Sequence, residues 1–107
     1  MAEVLTNIEE LRSRIDVIDD QLVRLLNVRV ACAVEVGRLK HEAGLPIYQP
    51  EREAQVLNSV RNSATDLAGP LTAEALVRIF ERIIDEARRA ERAASASGDS
   101  LGTSKEE

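Results

Sequence analysis

The sequence predicts an all-α fold with three helices per chain, one long, one short and one medium. Apolar residues recur three or four positions apart in three segments, which is the spacing of an amphipathic helix. Gly and Pro residues separate these segments at 41–50 and 65–70. We find no strand-like alternation and no internal repeat in the sequence, and a chain of 107 residues fits one domain.

The first predicted helix starts near Thr6 or Asn7 and runs to about Lys40. Both starting residues precede a glutamate by three positions, which is the capping-box pattern, and Gly44 and Pro46 end the helix. Such a helix would be roughly 50 Å long, and it would extend beyond a compact domain of this size. We therefore expect a second copy of the chain to cover its apolar face.

Two further helices follow. The second begins at Pro50, a favourable first-turn residue, and its apolar positions are sparse. The third starts near Thr72 and runs to about Ala94. Residues 95–107 have almost no apolar content, so we expect a disordered tail after a helical domain of residues 1–94.

Composition and charge argue against several functions. The formal net charge is −5 without a long basic block, which gives nucleic-acid binding little support. One cysteine and one histidine cannot form a protein-only zinc site of the usual kind. No apolar run reaches the roughly 20 residues that span a bilayer, so we expect no membrane association. The acidic N-terminus is unlike a secretory signal and no intrachain disulfide is possible, and we expect a cytoplasmic location.

Arg29 occupies a position of the long helix where the spacing calls for an aliphatic side chain. Apolar residues from Ile8 to Leu25 fall alternately three and four apart, and Arg29 is next on that rhythm. A buried charge without a partner costs several kcal/mol. The arginine therefore either reaches water at its tip or meets an anionic ligand. Lys40 follows three turns later on nearly the same face, so the two cations could bind one small anion. Gly37, between them, is interpreted as a tolerated defect in the helix.

Glu91 continues the apolar face of the third helix, following Phe80, Ile84 and Ala87 at steps of four, three and four. It is either a solvated residue near a fraying helix end or part of a polar cavity. Charges of opposite sign that interrupt the apolar faces of two helices favour a shared cavity, which is where helical bundles bind ligands.

Three segments of the chain resemble the all-helical class of chorismate mutase. They are ELRSRIDVIDDQLVRLLNVRVACAVEVGRLK, PIYQPEREAQVL and IFERIIDEARRAE, and together they cover roughly residues 8–92. The resemblance implies an intertwined homodimer of three-helix chains that uses neither a metal nor a cofactor. It also implies the Claisen rearrangement of chorismate to prephenate, on the way to phenylalanine and tyrosine.

The resemblance assigns roles to individual residues. Arg12 would bind a substrate carboxylate from the other subunit, and Arg29 would bind the second carboxylate. Lys40 would donate a hydrogen bond to the ether oxygen of the breaking bond, Glu53 would accept one from the ring hydroxyl, and Arg52 would order the site. The spacing adds an independent argument, because Arg12 and Arg29 lie seventeen residues apart, roughly 25 Å along one helix. One small dicarboxylate cannot span that distance, so a shared site needs Arg12 from a second chain.

Three positions depart from the family pattern. Gln49 replaces an Asp that helps to bind the ring hydroxyl, and Ala87 replaces a Ser that contacts a carboxylate. Glu91 stands where many members have a Gln that donates to the ether oxygen. A carboxyl group donates only when protonated. We therefore expect Glu91 to be protonated in the working enzyme, with activity falling as the pH rises.

Other functions remain open. Isochorismate–pyruvate lyase has the same fold and a similar cationic site, although the longer loop and third helix fit the mutase better. A non-catalytic chorismate-binding regulatory module is the second alternative, and the missing Ser and Asp equivalents keep it open. A related possibility is a mutase that needs a partner enzyme of the same pathway to become active. A purely structural coiled coil fails to explain Arg29, Lys40 and Glu91 together.

Overall fold

The computed structural model describes the backbone of residues 1–106 and the side chains of residues 1–97. This part of the chain forms three helices and no strand: α1 (Ala2–Ala43), α2 (Pro50–Asp66) and α3 (Ala73–Glu106). The predicted all-α fold with three helices is therefore confirmed. The chain divides into two compact units, Met1–Ala31 and Cys32–Glu107, so α1 contributes residues to both. Over the described residues, no helix combines the length and the apolar character that a membrane span requires.

α1 begins earlier than the sequence predicted. The helix starts at Ala2, and the hydroxyl of Thr6 donates to the carbonyl oxygen of Ala2 at 3.0 Å. This is a hydrogen bond within the helix, the kind that a threonine forms when it does not cap. The predicted capping box at Thr6 or Asn7 is therefore wrong, because the first turn lies upstream of both residues.

A hydrogen-bonded turn around Gly44 ends α1. Gly44 has a φ of 68°, a left-handed conformation that glycine adopts without steric cost. The N–H of Leu45 donates to the carbonyl oxygen of Lys40 at 2.8 Å, and the N–H of Gly44 donates to that of His41 at 3.2 Å. These two bonds form a Schellman motif. The motif confirms the predicted helix end and fixes the backbone of Lys40 in the last turn of α1.

α2 and α3 pack against each other along an apolar interface. α2 begins at Pro50, as predicted. The hydroxyl oxygen of Thr72 accepts a hydrogen bond of 3.1 Å from the N–H of Ala75, so Thr72 caps α3 close to the predicted start. The most buried apolar side chains all belong to these two helices: Val60, Val77 and Ala87.

α3 continues beyond the end that the sequence predicted near Ala94. Its backbone is helical to Glu106, and the run of Ala and Ser after residue 92 contains no proline to stop it. The side chains of residues 98–106 and the whole of Glu107 lie outside the described residues. The predicted disorder of 95–107, with its domain limit at residue 94, stays a prediction.

Candidate functional site

Lys40 is half-buried in the last turn of α1. It lies beside an open groove with a volume of about 510 Å³. The other residues that line this groove are mostly apolar: Val36, Leu39, Glu42, Ala43 and Leu45. A cation that is partly removed from water interacts more strongly with an anion than a fully solvated one does. The end of α1 therefore offers a cation suited to a small anionic ligand.

Glu91 of α3 lies against Gly37 of α1. A Cβ atom placed on Gly37 would be 3.6 Å from Oε2 of Glu91 and 3.7 Å from its Cγ and Cδ. Lys40 comes three residues after Gly37, so both residues lie on the same side of α1. The fold thus brings the half-buried carboxyl group of Glu91 to the segment of α1 that carries Lys40. The sequence alone treated Gly37 as a defect, because a spacing pattern cannot show that another helix approaches there.

Gly37→Ala should raise the free energy of unfolding by about 0.5–1 kcal/mol, because glycine inside a helix is less stable than alanine by that amount. The added methyl group would meet Glu91 at ordinary van der Waals distance. Gly37→Val is the matched variant. The two γ carbons of valine extend past the Cβ position, so they should displace the carboxyl group of Glu91. Urea unfolding of the three proteins measures the effect. A loss of stability in Gly37→Ala would contradict this account of the contact.

Glu53 forms an ion pair with Arg88 across the interface of α2 and α3. Nη2 of Arg88 donates to Oε1 of Glu53, and Nη1 donates to Oδ1 of Asp85 at 3.1 Å. The side chain of Glu53 is 29% exposed and that of Arg88 is 39% exposed. Several other ion pairs of the described side chains, by contrast, join residues of a single helix. Arg88 gave no signal in the sequence, because its partner lies 35 residues away in the chain and Arg88 does not interrupt an apolar face.

Gln49 and Arg52 lie at the start of α2 and are exposed. Gln49 precedes the first helical residue, and its side chain makes no capping hydrogen bond. Arg52 makes a long hydrogen bond of 3.5 Å to Oε1 of Gln55. Ala87 is only 5% exposed and packs in the core, where its methyl group offers no polar contact.

Arg12 and Arg29 belong to the unit Met1–Ala31. Arg12 is exposed and donates to Oε1 of Glu9 at 3.1 Å, whereas Arg29 is half-buried. The apolar residues beside Arg12 are exposed in the single chain, with 53% exposure for both Leu11 and Ile15. The predicted placement of Arg12 in the site of a second chain stays a prediction.

Arg38 follows Gly37 directly but forms part of a solvated helix surface. It pairs with Glu35 at 2.6 Å and with Glu42 at 3.2 Å, and all three side chains are exposed. Its hydrogen bonds hold the pKa of Glu35 below the usual value, and the two carboxylates raise the pKa of Arg38. Among the described side chains, no group of three or more His, Cys, Asp or Glu is placed to hold a metal ion.

Comparison with known proteins identifies relatives of this arrangement. A sequence model of the family described as chorismate mutase type II matches residues 11–92. The bifunctional chorismate mutase/prephenate dehydratase of Aquifex aeolicus is 40% identical over 81 residues, which cover 75% of this chain and 22% of that protein. The T-protein of Haemophilus influenzae is 38% identical over 79 residues, which cover 74% of this chain and 20% of that protein. The chain thus spans about a fifth of the length of these curated relatives.

A solved structure shares the fold as well as the sequence. It is described as chorismate mutase (form II) from Thermus thermophilus, and it superimposes with a TM-score of 0.72 at 31% identity. The match covers 80% of this chain and 94% of that one. The residues that the family model matches include Lys40, Glu53, Arg88 and Glu91. The chain belongs to the chorismate mutase type II family.

Proposed function

We propose that the chain is a chorismate mutase that rearranges chorismate to prephenate in the synthesis of phenylalanine and tyrosine. The observation that carries this proposal is the contact of Glu91 with Gly37, one turn from Lys40 on α1. The rearrangement needs neither a nucleophile nor proton abstraction. It needs a flexible dianion held in a compact shape and stabilisation of the charge that develops on the ether oxygen. The cation of Lys40 on α1 and a hydrogen bond from Glu91 of α3, which lies one turn away against Gly37, supply that stabilisation.

Lys40 and Glu91 act on the ether oxygen of the breaking bond. The ammonium group of Lys40 donates a hydrogen bond and offsets the developing negative charge. Glu91 donates a second hydrogen bond from its protonated carboxyl group. Arg29 binds one carboxylate of the substrate on the same helix. Partial burial of Lys40 and Glu91 supports their part of this arrangement, since a water-poor environment strengthens both interactions.

The start of α2 binds the ring of the substrate. Glu53 accepts a hydrogen bond from the ring hydroxyl, and Gln49, in the preceding loop, hydrogen-bonds to the same group without adding charge. Arg52, in the first turn of α2, orders this part of the site. Ala87 leaves the site with one polar contact fewer than the family pattern provides. The half-buried position of Glu53 beside the loop supports its role.

We infer that the working enzyme is an intertwined homodimer in which Arg12 binds a carboxylate in the site of the other chain. The exposed apolar residues of Met1–Ala31 support this inference, because a second copy of α1 would cover them. The helical separation of Arg12 from Arg29 supports it independently. Light scattering after size exclusion should give twice the mass of one chain, and the mass of one chain would contradict the homodimer.

If catalysis uses a hydrogen bond donated by the carboxyl group of Glu91, activity should require the proton of that group and fall as the pH rises. Glu91→Gln should flatten that profile, since an amide donates at every pH in the range. The measurement is kcat for both proteins from about pH 5 to 8.

Glu86→Gln is the matched control for this experiment. Glu86 lies on the same helix, is exposed, and pairs with Arg82 and Arg89, so its replacement should leave the profile unchanged. A Glu91→Gln protein with the wild-type pH profile would refute the proposed role of Glu91.

We propose that the chain is located in the cytoplasm. We also propose that its partner is a further enzyme of the same pathway. The name of the Aquifex aeolicus relative joins chorismate mutase to prephenate dehydratase in one protein, which supports a partner that consumes prephenate. Adding prephenate dehydratase from the same organism should raise kcat/KM for chorismate. An unchanged kcat/KM at saturating dehydratase would count against this partner.

The decisive test of the proposed function is an assay of purified protein with chorismate and, in parallel, with isochorismate. Loss of chorismate absorbance with formation of prephenate supports the mutase. Release of pyruvate from isochorismate without conversion of chorismate supports a lyase instead. Binding of chorismate without turnover of either compound would indicate a regulatory module.

A further inference from the structure

We propose that Arg88 is a positioning residue that orients Glu53 toward the ring hydroxyl of the substrate. The inference rests on the proposed function and deepens it. Arg88 lies on α3, whereas Glu53 lies on α2, and Arg88 does not interrupt an apolar face of its helix. The basis of the inference is the ion pair between α2 and α3 and the second contact that holds Arg88 in place.

The guanidinium group of Arg88 is held at two points. One nitrogen, Nη1, donates to Asp85 at 3.1 Å on the same helix, and the other, Nη2, donates to Oε1 of Glu53. A guanidinium group is a rigid planar fork, so fixing one of its nitrogens also limits where the other lies. The orientation of Glu53 is thereby set from α3. A carboxylate accepts hydrogen bonds at both oxygens, so the pairing of Oε1 with Arg88 is compatible with a ligand donating to Oε2 of Glu53.

The location of the pair connects it to the site. Arg88 lies three residues before Glu91, so the two side chains are neighbours on α3. Glu53 lies in the first turn of α2, next to the loop that follows Lys40. The pair is only partly exposed, so it is screened less than the pairs on the helix surfaces. Arg88 therefore links the residue proposed to bind the ring hydroxyl to the helix that carries Glu91.

A role confined to stability would leave the selectivity for the ring hydroxyl unchanged, and this difference makes the inference testable. The probes are chorismate and a chorismate analogue that lacks the ring hydroxyl. Arg88→Met keeps much of the apolar stem and removes both donors. It should lower kcat/KM for chorismate by roughly tenfold to a hundredfold, as expected when a binding group is misplaced. The kcat/KM for the analogue should change little, so the preference for the hydroxyl should fall by the same factor.

Three further variants sharpen the test. Arg88→Lys keeps the charge without the fork, so it should restore part of the preference. In a Glu53→Ala background, which leaves no acceptor for Arg88, Arg88→Met should change the preference no further. Arg89→Met is the matched control, because Arg89 is 64% exposed and pairs with Glu86 within α3. That variant should behave as the wild type does.

If Arg88→Met does not fold, Arg88→Lys carries the test, and an unchanged hydroxyl preference in it overturns the inference. Equal losses on both probes in a folded Arg88→Met protein also overturn it, while the proposed function stands. A wild-type protein that neither binds nor converts chorismate refutes the proposed function, and the inference falls with it.

Discussion

Lys40→Ala should lower kcat for chorismate by roughly a hundredfold to a thousandfold, which is the usual effect of removing a donor to a developing oxyanion. In the proposed mechanism, the hydrogen bond from Lys40 strengthens as negative charge builds on the ether oxygen. It therefore stabilises the transition state more than the bound substrate. For this reason kcat and kcat/KM should fall together, with little change in KM. Initial rates from the absorbance of chorismate measure both parameters.

The loss of activity in Lys40→Ala should not be accompanied by a loss of stability. Lys40 is half-buried and carries a charge, so replacing it with alanine removes a group that is partly desolvated. The free energy of unfolding of Lys40→Ala should equal or exceed that of the wild type. Arg38→Ala is the matched control, because Arg38 lies on the same turn and makes only surface ion pairs. A folded Lys40→Ala protein with kcat within a few-fold of the wild type would remove Lys40 from the mechanism.

Mixing two inactive variants, Arg12→Ala and Lys40→Ala, should restore about one quarter of wild-type activity after joint unfolding and refolding. Each variant alone has both sites damaged. In a mixed dimer, one site takes Lys40 from the Arg12→Ala chain and Arg12 from the Lys40→Ala chain, so it is intact. The other site carries both substitutions and lacks both residues. Random pairing makes half of the dimers mixed, and half of the sites in those dimers are intact. Activity of the refolded mixture, compared with each variant refolded alone, measures the recovery.

The control for this experiment mixes two variants whose altered residues are supplied to a site by the same chain. Lys40 and Glu53 belong to the same compact unit, so a mixed dimer of Lys40→Ala and Glu53→Ala contains no intact site. That mixture should stay inactive. Failure of the first mixture to recover, with mixed dimers present by mass spectrometry, would place Arg12 outside the partner's site.

The helices themselves followed from sequence because local signals specify them. The breaks at 41–50 and 65–70 and the start of α2 at Pro50 needed only the chemistry of Gly and Pro and the periodicity of the apolar residues. The outer limits of the first and third helices were harder. Near Thr6 a capping side chain is compatible with both a helix start and a helix interior, and beyond Ala94 the sequence is polar but contains no proline to end the helix.

The candidate site was only partly accessible from sequence. Glu91 was recognisable because it extends an apolar pattern, and Lys40 because it lies on nearly the same face as Arg29, which interrupts one. Arg88 gave no such signal, since its importance depends on Glu53 of another helix. Gly37 was misread for the same reason, because the approach of Glu91 is a property of how the helices pack. The sequence patterns did not predict contacts between segments that are distant in the chain.

The uncovered apolar face of Met1–Ala31 also determines how activity responds to the amount of protein made. In the proposed homodimer a complete site needs two chains, so far below the dimer dissociation constant the number of sites grows with the square of the chain concentration. A twofold change in expression would then change flux by up to about fourfold. Far above that concentration the response becomes proportional. The affinity of α1 for its copy thus determines whether small changes in gene expression are amplified or passed on unchanged.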